Sequence, residues 1–173
     1  IYSDAIILDV KVGNGAFMKT LPEAEELAQT MLKIGKGFGR KIVAVISNMD
    51  QPLGCAVGNA NEVIEAIETL KGNGPEDFTE LVYNIAALAL KLKGEVSTTE
   101  EGIKKVEEVI ANKSALEKFA LFIKESGGNP EIVNDYSLLP GFDSELEVLS
   151  EKEGYVTKIQ AEEIGKAAMI IGA

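Results

Sequence analysis

The sequence predicts an α/β fold: a mixed, largely parallel sheet flanked by helices, followed by the start of an α+β portion. Three observations predict it. Two largely apolar runs, residues 4–10 and 41–49, have the texture of strands buried on both faces of a parallel sheet. Between and after them, apolar residues recur at helical spacing. From residue 145 the texture changes to alternation of apolar and polar residues, the pattern of strands exposed on one side.

After the first run, "LPEAEELAQTMLKIGKGFG" carries Leu21, Ala24, Leu27, Ala28, Met31 and Leu32 on one side of a helix. Pro22 and the acids beside it suit a helix start, and the lysines and Gly35 suit its end. "KIVAVISNM" supplies the second strand, so the three elements form a βαβ unit with a right-handed crossover. Beyond "DQPLG", the spacing of Ala60, Val63, Ile64, Ile67 and Leu70 predicts a helix that stops at the glycines of "KGNGP". Helices are expected over 76–93, 99–112 and 114–125, before "SGGNP" breaks the pattern. Residues 1–126 are thus expected to form one α/β unit and 127–144 a linking segment. Residues 145–173 would begin an α+β portion. There "ELEVLSEKEGYVTKI" predicts two antiparallel strands around Gly154, and "AEEIGKAAMIIGA" predicts a short helix. Such a tail is too small for a stable domain, and a two-stranded sheet is meagre, so the chain is expected to be part of a larger unit.

Composition narrows the function. With 17 Lys and Arg against 28 Asp and Glu, the net charge is −11. An acidic surface repels a phosphate backbone, so no nucleic-acid partner is expected. The densest basic group, Lys33, Lys36, Arg40 and Lys41, is interrupted by glycines. No apolar run is long enough to span a membrane, and no secretion leader is visible. The single Cys55 excludes an internal disulfide and fits a reducing cytoplasm. There is no histidine. A Ser-His-Asp triad, a Cys-His pair and an HExxH zinc site are therefore excluded within this chain. Acid–base chemistry must use carboxylates or lysines, or come from residues outside it.

Two stretches remain as candidate sites. Gly13-Asn14-Gly15 follows the first strand and invites a phosphate-cradle reading. A dinucleotide fingerprint, however, would need glycine where Met18 stands, and no Gly-Lys-Ser/Thr loop is present. A plain turn and a ligand-lining loop at the carboxyl end of a parallel strand both remain, the latter with Phe17 as an apolar wall for a flat ring. Asp9 and Lys11, at the mouth of that strand, read equally as a buried pair or as pocket contacts. The second stretch is rich in oxygen: Asn48, Asp50, Gln51, Asn59, Asn61, Glu62 and Glu65. It reads either as a capped loop entering a helix, with Glu65 on the solvated face, or as a hard-cation site of carbonyls plus one carboxylate. Glu100, Glu101, Glu107 and Glu108 read as a solvated helix face.

Taken together, "DAIILDVKVGNGAFMKT", "QPLGCAVGNANEVIEAIETLKGNGPEDFTEL" and "GYVTKIQAEEIGKAAMIIGA" resemble the pyrimidine-nucleoside phosphorylases, including thymidine phosphorylase. The resemblance implies a homodimeric cytoplasmic enzyme that converts a pyrimidine nucleoside and phosphate into the free base and a pentose 1-phosphate. It implies a small helical domain, lying upstream and absent here, facing a large α/β domain across a cleft. The phosphate-binding and most base-binding residues would also lie upstream, leaving no catalytic residue in this chain and an inactive fragment. What carries over is a base-pocket wall at Ala16 and Phe17 and part of a potassium site: Leu53 and Ala56 through their carbonyls, Glu65 through its carboxylate. The sequence departs from the family pattern at Asn48 and Asp50, where aspartate and serine are usual, and at Asn61, where leucine is usual. None of the three is a carried-over ligand, although a carboxylate at Asp50 could alter affinity near the cation loop. Two rival readings are a non-catalytic interaction module and an enzyme similar to anthranilate phosphoribosyltransferase, which would need different blocks in place of "GAFMK" and "QPLG".

Overall fold

The computed structural model describes residues 3–172; Ile1, Tyr2 and Ala173, at the outer ends of the expected units, lie outside the described residues. Strand β1 (Ala5–Val12) pairs in parallel with β2 (Lys41–Asn48), from Ala5 opposite Lys41 to Val12 opposite Asn48. Helix α1 (Leu21–Gly37) makes the crossover. Its start is fixed locally: the Glu23 carboxylate accepts the Thr20 N–H at 2.9 Å, and Pro22 occupies the first turn. Those bonds hold the Glu23 carboxyl below its ordinary range.

The strand period of two sorts the side chains. Leu8, Val10, Ala44 and Ile46 meet Ala24 and Ala28 of α1 to form the core on one face. On the other face, Val45 borders a cleft with Leu81 and Leu88 of α3 (Glu76–Lys93). The expected burial of both strands on both faces is only partly met: among their described residues Val10 alone is fully buried. The physical reason is the sheet's width. With the order β1-β2, each strand has one hydrogen-bonded neighbour and one open edge.

Helices α2 (Asn59–Lys71), α3, α4 (Thr99–Ala111) and α5 (Ser114–Glu125) follow the predicted spans closely. Ile67 on α2 is fully buried. Helix α4 lies so close to α3 that a Cβ on Gly102 would stand 2.8 Å from the Ala87 Cα and Cβ. After α5 come two short 3-10 turns, Pro130–Val133 and Tyr136–Leu138, and the chain ends in α6 (Ala161–Ile170).

The antiparallel strands expected around Gly154 do not form. Residues 141–160 carry neither helix nor strand, and Leu146, Val148, Leu149, Tyr155 and Val156 are exposed. Alternation marks a face that a strand can bury, but ladder bonds need a neighbouring strand, and a lone hairpin is marginal in water. The sheet is therefore parallel throughout the described residues rather than mixed. Among those residues no helix is long and apolar enough to cross a membrane.

Gly102 gives a test of the α3–α4 packing. Gly102→Ala is expected to lower the urea midpoint, with a destabilisation of about 1–3 kcal/mol from overpacking. Helix propensity alone would give a stabilisation of about 1 kcal/mol. Gly165→Ala in α6, where an added Cβ meets nothing within 4 Å, should follow propensity instead.

Candidate functional site

Both parallel strands end on the same side of the molecule, and the loops leaving them form the candidate site. The first loop starts at Gly13, whose φ of +126° lies in the region that side chains avoid. A Cβ there would also fall 2.7 Å from the backbone N and Oδ1 of Asp50. The loop folds back so that the Gly13 N–H donates to the Met18 carbonyl at 3.0 Å. It is joined to the second loop through Gly15 N–H to the Met49 carbonyl at 2.9 Å and Asn14 N–H to Asp50 Oδ1 at 3.0 Å. Asp50 is itself steadied by its N–H, which donates to Asn48 Oδ1 at 2.9 Å. Asn48 and Asp50, two of the three departures from the family pattern, thus bond to each other, and Asp50 holds the glycine loop.

Phe17 stands at the tip of this loop and is 98% exposed. With Ala16 it borders a cleft of about 710 Å³ that also takes in Asp9, Lys11, Lys19 and Glu162. Phe17 is therefore not a core residue, and its ring is free to meet a ligand. Of the two readings of Asp9 and Lys11, the pocket contact holds: the two pair, but Asp9 is exposed and Lys11 half-buried, and both border the cleft. Lys11 Nζ lies 2.6 Å from Asp9 Oδ2 and donates to Ser47 Oγ at 2.9 Å, while Ser47 Oγ donates to Asp9 Oδ1 at 2.5 Å. The trio ties β1 to β2, and Asp9 and Lys11 line the cleft, whose two lysines balance two carboxylates despite the acidic surface.

The second loop carries Leu53, Ala56 and the approach to Glu65. Glu65 turns inward rather than onto a solvated face: its Oε1 accepts the N–H groups of Cys55 at 2.8 Å and Ala56 at 2.9 Å. Asp77 Oδ2 accepts the Gly54 N–H at 3.1 Å. Gly54 has φ of +73°, and a Cβ there would collide with the Glu65 carboxylate. With the loop amides taken up by carboxylates, the Leu53 and Ala56 carbonyls accept no hydrogen bond among the described residues, and neither does Glu65 Oε2. Two carbonyls and one carboxylate oxygen suit a hard monovalent cation. No group of three or more His, Cys, Asp or Glu able to hold a metal occurs among the described residues. Glu65, on α2, reaches back to the loop at Cys55 and Ala56, two and three residues past Leu53. The structure keeps this loop apart from Ala16 and Phe17: Leu53 borders a separate cleft of about 450 Å³ against α3.

Sequence reasoning passed over a second cluster. Tyr136 donates to Glu68 Oε1, and Lys71 Nζ donates to the Tyr136 hydroxyl at 2.7 Å and to Glu68 at 3.1 Å. The Lys71 ammonium also sits 4.6 Å from the Tyr136 ring centre. The Tyr136 bond, assisted by Asn73 and Lys71, holds the Glu68 carboxyl down at about 2. Glu68 lies one turn beyond Glu65, so this cluster fixes the helix that delivers Glu65.

Against this geometry the comparisons with known proteins are specific. Residues 2–116 match the family described as glycosyl transferase family, a/b domain, and the chain belongs to that family. Among its relatives, the pyrimidine-nucleoside phosphorylase of Bacillus subtilis (strain 168) is 52% identical over 171 residues, and that of Staphylococcus haemolyticus (strain JCSC1435) is 48% identical. The same-named protein of Staphylococcus aureus (strain USA300) is 47% identical. Each alignment covers 99% of this chain but 40% of the relative, so the chain spans well under half the length of these curated relatives.

The Glu68 cluster predicts a pH dependence. A carboxyl held at about 2 when folded, against 4.5 ordinarily, binds fewer protons folded than unfolded. Its stabilisation is fully present above pH 4.5 and is lost as pH falls toward about 2. Tyr136→Phe removes the leading donor, so acid unfolding should begin at higher pH than in the wild type. Circular dichroism followed during acid titration checks this, and coincident curves would rule it out.

Proposed function

We propose that the whole protein to which this chain belongs is a pyrimidine-nucleoside phosphorylase, which converts a pyrimidine nucleoside and phosphate into the free base and a pentose 1-phosphate. One observation carries the reading: 52% identity, over 99% of the chain, to a protein of that name. The exposed ring of Phe17 at a cleft beyond the carboxyl end of β1 supports it. On this reading Phe17 and Ala16 form the wall against which the pyrimidine lies. The protein is a cytoplasmic homodimer, and the phosphate-holding groups are supplied by residues outside this chain.

The chemistry suits such a division. The glycosidic bond breaks through an oxocarbenium-like sugar while phosphate, already an anion, attacks the anomeric carbon. The pyrimidine departs as a stabilised anion. The protein's contribution is then to position the reactants and to neutralise charge in a cleft shielded from water. Phe17 orients the ring plane. Lys11 and Lys19 place positive charge along the same cleft. Leu53, Ala56 and Glu65 would hold a potassium ion, which when bound supplies fixed positive charge and rigidity to the loop after β2.

Three measurements test the proposal. The full-length protein should release uracil or thymine from uridine or thymidine only when phosphate is present, and the 173-residue chain alone should not; full-length protein without this activity would overturn the reading. Phe17→Ala should raise the nucleoside KM about threefold to tenfold, the worth of an aromatic contact of about 0.5–1.5 kcal/mol, and leave the phosphate KM unchanged. Glu65→Gln should raise the potassium concentration needed for half-maximal activity; an unchanged potassium titration would remove Glu65 from the site.

A further inference from the structure

We propose that Asn14, Ala161 and Glu162 are positioning residues for the Phe17 wall, with the first turn of α6 acting as a latch on the loop that carries the ring. The ligand named here rests on the phosphorylase reading; the latch itself does not.

Phe17 is so exposed that its own side chain does little to fix it, so the ring goes where the loop backbone goes. That backbone has two supports. One is the 49–50 stretch after β2, through the Gly15 and Asn14 amides. The other comes from the far end of the chain. Asn14 Nδ2 donates to the Ile159 carbonyl at 3.3 Å, across 145 residues of sequence. Lys19 Nζ donates to the Asn14 carbonyl at 2.8 Å and pairs with Glu162 Oε2 at 3.4 Å. Gly15 completes the contact: a Cβ on it would stand 2.7 Å from the Ala161 Cβ, so only glycine lets the helix approach this closely. Residues 14, 15 and 19, which bracket Phe17, therefore all touch the 159–162 turn.

The rest of that terminal segment does not account for the contact. Residues 141–160 form no regular structure, and Met169 and Ile170 at the other end of α6 are exposed, whereas Ala161 is only 8% exposed. The helix meets the body at its first turn, and what it meets there is the Phe17 loop. Glu162 is held toward the loop by Lys166 at 2.9 Å, and it lines the same cleft as Phe17. Preorganising a loop lowers the ordering cost on binding, so loosening the latch should weaken ligand capture more than it slows chemistry.

The test uses the full-length protein and reads amide hydrogen exchange together with kinetics on uridine. Ala161→Leu should push the turn off Gly15, and Glu162→Ala should remove the Lys19 pair without steric insult. Both should speed exchange of the Asn14 and Gly15 amides by roughly tenfold or more while leaving the β1 and β2 amides unchanged. Both should raise the uridine KM several-fold with kcat and phosphate KM little changed. Glu163→Ala, which removes a carboxylate bonded only to Lys166, should do neither. Unchanged loop exchange in both variants would overturn the latch, as would exchange that rises equally in the strands. Faster loop exchange with an unaltered uridine KM would overturn its role in positioning the wall. If the full-length protein lacks phosphorolysis, the reaction reading fails, and the exchange result still decides the latch.

Discussion

The candidate site depends on the contact between Gly13 and Asp50. A backbone at φ of +126° with no room for a Cβ lets the loop after β1 lie directly against the loop after β2. Parallel pairing makes this possible, because Val12 and Asn48 are register partners and both strands leave the sheet at one level. Asp50 then accepts the Asn14 N–H, and Met49 accepts that of Gly15. Any larger residue at position 13 would part the loops and remove the footing of Phe17. The Lys11–Asp9–Ser47 trio stiffens the same strand ends from within the sheet.

A similar economy holds in the loop that ends at α2. Its N–H groups at 54, 55 and 56 are taken by Asp77 and Glu65, which leaves oxygen atoms, not donors, facing outward. Because carboxylates have consumed those amides, the loop would suit the proposed potassium ion better than an anion. Glu65 performs this role from a helix clamped one turn further on by Tyr136 and Lys71, and its own carbonyl accepts the Thr69 hydroxyl at 2.8 Å. The geometry of the loop thus traces back to packing around α2, where Ile67 and Thr69 are both buried.

Much of this was legible in the sequence, for identifiable reasons. The strands and helices declared themselves because periodicity is local: the apolar stripe of residues 76–93 predicts the bounds of α3. The terminal strands failed because alternation reports only a face, not the neighbour it needs, and Leu146, Val148 and Tyr155 find none. Phe17 was readable as an apolar wall under one of the two readings of its loop, because it follows Gly13 and Gly15 just past a strand end. The inward turn of Glu65 was one of two readings left open, since helical position alone gives no account of a loop ten residues earlier. Asn14 bonds to residues 36 and 145 positions away, and no short pattern encodes such partners. Asp50 was visible as one of several oxygen-bearing side chains in its stretch and as a departure from the family pattern, not as a partner of the glycine loop. Its purpose appears once Asn14 is seen beside it.

The lack of histidine bears on how such a site can work. Within this chain no imidazole is available to move a proton along the Phe17 cleft, where Lys11 and Lys19 stand beside Asp9 and Glu162. Glu162 is held further below its ordinary range by the ammonium groups of Lys166 and Lys19. A wall of that kind cannot shuttle protons, but phosphorolysis asks for little proton transfer on the base side when the nucleophile arrives as an anion and the leaving ring departs as one. What it requires is a ring held in one plane near unchanging positive charge, so that separating charges are already solvated by the protein. On the proposed reading, the Phe17 loop, clamped between Asp50 and the first turn of α6, would meet that requirement through rigidity.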